Sequence, residues 1–246
     1  MYYKEWLRVR RALTVLIIMA GVALVLHQIS VLILRNEPSP GDTPLSLFFA
    51  VAGIVATLYA GWFGASLSAE NSGHLEIAWT KPVSRNRYAL LTMGVDLVGI
   101  FAAFVLGLAG MIAVIAQHGA LSSVTVDPAA WANLVRFLLL PFAFFGLWQA
   151  LTASLRCAGS SVVGYSTVAT VILLGLGALG LPDVWGAIFH TLNYLNPMVY
   201  GTFTTSDGGG VINHPFAAWQ LNLVGLAVIG SAGIAIALAQ WRKLEA

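Results

Sequence analysis

Residues 45–88 read LSLFFAVAGIVATLYAGWFGASLSAENSGHLEIAWTKPVSRNRY, and the change of character partway along decides the fold. The stretch 45–67 has no charged side chain. It is longer than the ~20 apolar residues a helix needs to cross a bilayer core. The stretch 70–88 then gathers Glu70, Glu76, Lys81, Arg85 and Arg87 in a protein only 9% charged. Ionised side chains in hydrocarbon cost roughly 2.5–3.5 kcal/mol each on insertion scales. The cluster is therefore expected to project into water, and the chain to re-enter the membrane after it.

Composition extends this reading to the whole chain. Its 246 residues are 59% hydrophobic, with a mean hydropathy of +0.84. A soluble domain covers itself with about 25% charged residues, and this chain cannot. It reads as an all-α integral membrane protein of one domain. A single cysteine, Cys157, excludes an internal disulfide framework and is expected to be a small buried residue near a helix end.

Working outward, six spans are predicted: 12–34, 45–67, 90–117, 131–155, 161–181 and 220–240. Before the first, residues 1–11 place Tyr2, Trp6, Val9 and Leu13 on one helical face and Lys4, Arg8 and Arg11 on another. That pattern predicts an interfacial helix on an anionic leaflet, in preference to a nucleic-acid site. The first apolar run is too long for a signal peptide and lacks its cleavage site, so it is expected to stay as a span. Residues 35–44, RNEPSPGDTP, form a loop whose three prolines stop a helix. Pro141 predicts a kink in the fourth span.

Between the last two spans lies an apolar segment, 182–219. Asp183 could cap a short helix carrying Trp185, Ile188, Phe189, Leu192 and Leu195, which Asn196-Pro197 is expected to stop. A second patch runs from Met198 to the flexible TTSDGGG. One or two short re-entrant helices in the outer leaflet are expected, with a plain loop as the alternative.

Orientation follows from the cations. With the N-terminus inside, the inner segments hold Lys4, Arg8, Arg10, Arg11, Lys81, Arg85, Arg87, Arg156, Arg242 and Lys243. Only Arg35 and Arg136 fall outside, near span ends where they can snorkel. Both termini and residues 70–88 are thus expected in the cytoplasm.

Few residues offer chemistry. Asp96, inside the third span, is a functional candidate because intramembrane acids usually are. The reading taken is a structural pair with a basic residue of the N-terminal helix or with Arg156. His27, His118, His190 and His214 fall on the outer side, where a metal or haem site is conceivable. They sit on four separate segments without ligand spacing, and interfacial histidines are the reading taken. Ala227, Ser231, Ala235 and Ala239, with Gly233 and Ala237 beside them, form a small-residue stripe expected to pack within the bundle, with contact to another subunit left open. No G-x-x-x-x-G-K-[ST] cradles phosphate, and no Ser–His–Asp context occurs. The chain is expected to be no enzyme itself. It has too few membrane acids for an ion-driven carrier, so its energy should come from elsewhere.

Within 70–88, Leu75, Ala78 and Trp79 share a helical face, and Pro82 ends that segment. A short helix with one apolar face and flanking charge suits a cleft in another protein. The run Glu70-x-x-Gly73-x-Leu75-Glu76, followed by Lys81-Pro82-Val83-Ser84-Arg85 and Tyr88, resembles the cytoplasmic loop of ATP-binding cassette (ABC) type 2 exporter permeases. The resemblance implies six spans, an N-terminal interfacial helix, outer re-entrant helices and a coupling helix that docks on a separate ATPase. It implies a coupling role for Glu70, Gly73, Leu75, Glu76, Trp79, Pro82 and Arg85. It also implies two ATPase subunits that bind ATP and Mg, a second permease subunit as homo- or heterodimer, and residence in the cytoplasmic membrane. The substrate expected is amphiphilic or hydrophobic. Two other classes stay open: a self-sufficient channel or histidine-dependent metal or haem protein, and a non-transporting assembly or sensory subunit.

Overall fold

The computed structural model describes residues 2–34, 43–71, 84–117, 119–128, 130–155, 159–179, 194–201, 216 and 218–243. They form helices α1 (Tyr2–Leu34), α2 (Leu45–Phe63), α3 (Ser66–Asn71), α4 (Arg85–Gln117), α5 (Ala130–Thr152), α6 (Gly159–Leu179), α7 (Pro197–Gly201) and α8 (Trp219–Lys243). Four stretches among the described residues are long and apolar enough to cross a membrane: Leu45–Glu70, Asn86–Gln117, Ala130–Thr152 and Trp219–Lys243. They coincide with the second, third, fourth and sixth predicted spans. The first and fifth predicted spans lie along α1 and α6.

Helix α1 differs from expectation at its start. It runs unbroken from Tyr2 to Leu34, with no junction between residues 1–11 and 12–34. The reason is local: no proline and only Gly21 occur in the helix, so nothing interrupts the backbone ladder at Arg11. The beginning of α1 also packs as a helix of the bundle. Val9 is fully buried next to Gly99 of α4, and the Tyr59 hydroxyl donates to the Ala12 carbonyl at 2.8 Å.

Helix α2 is the centre. Its buried positions include Ala52, Gly53, Ala56, Ala60 and Gly61, small residues that let neighbouring helices approach closely in lipid. A Cβ on Gly53 would sit 2.6 Å from Phe137 of α5. Contacts Gly53–Phe137 and Gly64–Trp148 run in step, so α2 and α5 are parallel; Gly107–Ala52 and Gly99–Phe63 run in opposition, so α4 is antiparallel to α2.

Helices α5 and α8 meet backbone to backbone. A Cβ on Gly146 would clash with the Gly230 carbonyl, and one on Gly233 would clash with Gly146. The buried stripe of α8 is Asn222, Leu226, Gly230, Gly233, Ala237 and Trp241. Of the small residues predicted to pack, Gly233 and Ala237 are buried, whereas Ser231, Ala235 and Ala239 are exposed and Ala227 is half-buried.

Two connections were not foreseen. A two-residue parallel bridge pairs β1 (Thr43–Pro44) with β2 (Val124–Thr125) at the end of the bundle where α2 begins. There α2 has no cap of its own, since Pro44 stands at its N-cap. Instead the Asp127 carboxylate accepts the Ser46 N–H at 3.1 Å, supplying a cap and a negative charge at the positive end of the helix dipole. The second is the start of α7 at Asn196-Pro197; the helix that this pair was expected to stop lies largely outside the described residues. Proline suits the first helical position, whose N–H has no helical partner anyway, and Asn196 Oδ1 accepts the Met198 N–H at 3.0 Å.

Candidate functional site

The features with chemical content gather at the end of the bundle where α3 stops and α4 begins. Helix α4 starts earlier than the predicted span, because Ser84 caps it: its hydroxyl oxygen lies 3.4 Å from the Arg87 N–H. Arg242 of α8 donates to Asn86 at 3.2 Å, which brings the last described turn of the chain to the same end. Of the predicted coupling residues, Gly73, Leu75, Glu76, Trp79 and Pro82 lie outside the described residues. Arg85 opens α4.

Glu70 is corrected. It does not project into water but is 8% exposed, and the Tyr88 hydroxyl donates to its Oε2 at 2.7 Å. A carboxylate at the end of an apolar helix is less costly to bury when a hydroxyl hydrogen-bonds it. The bond joins α3 to α4, so the two ends of the segment between them are clamped together.

Deeper in the bundle, Asp96 of α4 is fully buried and pairs with Arg8 of α1, Nη2 to Oδ1 at 2.5 Å. The Arg8 guanidinium also lies 5.9 Å from the centre of the Phe63 ring, a cation–π distance. The partner thus comes from the N-terminal helix; Arg156 lies outside the described residues.

Beside this pair α2 is interrupted. It ends at Phe63 with Gly64 as its cap, and α3 resumes at Ser66. The break frees carbonyls in a segment where water is scarce, and each must find a partner inside the protein. Gln149 of α5, fully buried, donates from Nε2 to the Phe63 carbonyl at 3.2 Å and to Ser66 Oγ at 2.8 Å. The Thr152 hydroxyl lies 3.3 Å from the Gly64 carbonyl. From α6, the Ser166 hydroxyl donates to the Gly61 carbonyl at 2.7 Å. Thr170 accepts the Trp148 indole N–H at 2.7 Å.

Sequence reading missed these four side chains. The available signal was polar residues at three- and four-residue spacing, Gln149 with Thr152 and Ser166 with Thr170, inside otherwise apolar runs. Replacing Gln149 by leucine should lower stability by about 1–3 kcal/mol, the cost of leaving buried polar groups unpaired. Thermal unfolding in detergent measures it, and an unchanged midpoint would refute the role given to this amide.

The described residues contain no group of three or more His, Cys, Asp or Glu that could hold a metal. His27 lies in α1, its side chain outside the described set, as are His118, His190, His214 and Cys157. No protein-family model, curated protein or solved structure matches this chain. The fold is that of a mostly helical protein, consistent with an all-α membrane protein, with four helices among the described residues long and apolar enough to cross a membrane.

Proposed function

We propose that the chain is the transmembrane subunit of an ATP-binding cassette exporter, moving an amphiphilic or hydrophobic substrate with energy from separate ATPase subunits. In this reading α1 and α6 complete six spans, and a second permease subunit pairs with this one. The bundle sits in the cytoplasmic membrane with both termini inside. Two ATPase subunits bind ATP and Mg, and this chain has no catalytic part. The observation that carries the reading is the run from Glu70 to Tyr88, with its likeness to a coupling loop.

The surrounding geometry supports it. A push on residues 72–83 would reach the bundle through the Glu70–Tyr88 clamp. From there it divides: α3 is separated from α2 by the break at Gly64, and α4 carries α1 with it through Asp96 and Arg8. Arg8, Arg242 and the start of α4 share the end that would face the cytoplasm, in keeping with the positive-inside rule.

Substituting Glu76 and Trp79 together by alanine should uncouple ATP hydrolysis from transport while the chain still inserts. Transport in vesicles and co-purification of the ATPase read the result. Unchanged docking and transport would refute the assignment.

A further inference from the structure

A groove of about 710 Å³ lies along α2 between α1 and α6, within the roughly 300–1,000 Å³ typical of small-molecule sites. Its wall is mostly apolar, and Val15, Met19 and Val171 on that wall are each more than half exposed. The groove therefore opens on the outside of the bundle, the side that lipid would surround. The polar side chains along it are few, and most are already engaged. Arg8 pairs with Asp96, and Glu70 is buried and accepts the Tyr88 hydroxyl. The Tyr59 hydroxyl donates to the Ala12 carbonyl, and the Thr167 hydroxyl donates to the Val163 carbonyl at 2.8 Å. Arg11 is exposed and has no ion pair among the described residues. It is the charge this groove offers to a ligand.

Depth along the bundle axis places that charge. Trp62 lines the groove and is half exposed. Its neighbour Phe63 lies against the Arg8 guanidinium, and Tyr59, about one turn away, reaches Ala12. Trp62 therefore sits on the part of α2 that faces residues 8–12. An indole, apolar in body with a polar N–H, suits the membrane–water boundary. That puts Arg11 at the level of lipid phosphates, with Val15 and Met19 following at successive turns into the hydrocarbon. Among the described residues no carboxylate is available beside Arg11. Asp96 is fully buried against Arg8, and Glu70 lies about three helical turns from Arg11.

We infer that the groove binds one anionic phospholipid of the surrounding bilayer. Its phosphate accepts hydrogen bonds from the Arg11 guanidinium and the Trp62 indole N–H, both strengthened by the phosphate charge. An acyl chain lies against Val15, Met19 and Val171. A net-neutral headgroup carrying an ammonium would bring that cation toward Arg11 with no acid beside it to receive the charge, so the anionic headgroup is preferred. The inference rests on the bundle lying in a membrane and does not depend on coupling to an ATPase.

The test uses the full chain, purified in detergent without any ATPase and titrated with phosphatidylglycerol and phosphatidylethanolamine under native mass spectrometry. The wild-type chain should retain one phosphatidylglycerol in preference to phosphatidylethanolamine. Arg11→Gln should weaken phosphatidylglycerol retention about tenfold, the loss of a charge-assisted hydrogen bond, and should remove the preference. Arg10→Gln is the control: Arg10 is equally exposed but does not line the groove, so its loss should leave retention within about twofold of wild type. Val171→Trp fills the apolar end without touching a charge, and should reduce occupancy by both lipids. Equal losses in the Arg10 and Arg11 variants would overturn the site, since the lipid would then be held by general surface charge. Undiminished occupancy in Val171→Trp would overturn the groove as its location. Equal retention of the two lipids by wild type, or a preference for phosphatidylethanolamine, would overturn the anionic headgroup.

Discussion

Replacing Gly146 with leucine should stop α5 and α8 from docking and cost the protein most of its folded population. Helices in lipid gain little from hydrophobic burial against each other, so their association depends on close van der Waals contact. Here the contact is backbone on backbone: a Cβ at Gly146 would overlap the carbonyl oxygen, carbon and Cα of Gly230. Overpacking usually costs about 1–3 kcal/mol because side chains shift to absorb it. No side chain can shift at this crossing, and the helices must separate. A cost above ~3 kcal/mol is expected against a typical total of 5–15 kcal/mol. Gly164 of α6 gives the control, since nothing lies within 4 Å of its would-be Cβ; its leucine variant should stay within about 0.5 kcal/mol of wild type. Thermal unfolding and the monodisperse fraction in detergent should fall for Gly146→Leu and hold for Gly164→Leu. Equal behaviour of the two would mean that this crossing does not hold the bundle together.

The same crossing shows which parts of the fold are legible in sequence. The apolar runs near 45–67, 90–117, 131–155 and 220–240 announce themselves by length, because a bilayer imposes a minimum that chance rarely meets. Which face of a span packs is not announced. On α8 two interleaved small-residue stripes both look suitable, Gly230 with Gly233 and Ala237, and Ser231 with Ala235 and Ala239. In water the outward face would be polar and the choice obvious; in lipid both faces are apolar and the periodicity carries no sign. Asn196-Pro197 was ambiguous for another reason. Proline disfavours helix before it and favours helix after it, so the same pair reads as a stop or a start. The cap that Asp127 supplies to α2 was out of reach because the two are joined only in space. The acid in α4 was the easiest to interpret, since a buried carboxylate needs a cation; choosing Arg8 among several cations required the packing of α1.

Breaking that pair should produce the second large effect. Removing one partner of a buried ion pair typically costs 3–5 kcal/mol, because the remaining charge stays desolvated. Asp96→Ala should therefore lower stability by about that amount, and Arg8→Ala similarly. Exchanging both for apolar residues of similar volume, Arg8→Met with Asp96→Leu, often comes near to neutral, so the double variant should recover more than half of either single loss. This non-additivity is the signature, since independent sites would simply sum. Arg8→Lys should fall between, because an ammonium keeps the charge but loses the planar face that lies over Phe63. A structural consequence follows from where the pair sits. Arg8 is near the beginning of α1, and the pair holds that part of the helix against α4. In Asp96→Ala, hydrogen exchange should rise in the first three turns of α1 while the α5–α8 crossing keeps its protection. If the two single variants and the double lost stability additively, or if exchange rose everywhere at once, the ion pair would be incidental to the docking of α1 and buried Val9 would have to account for it.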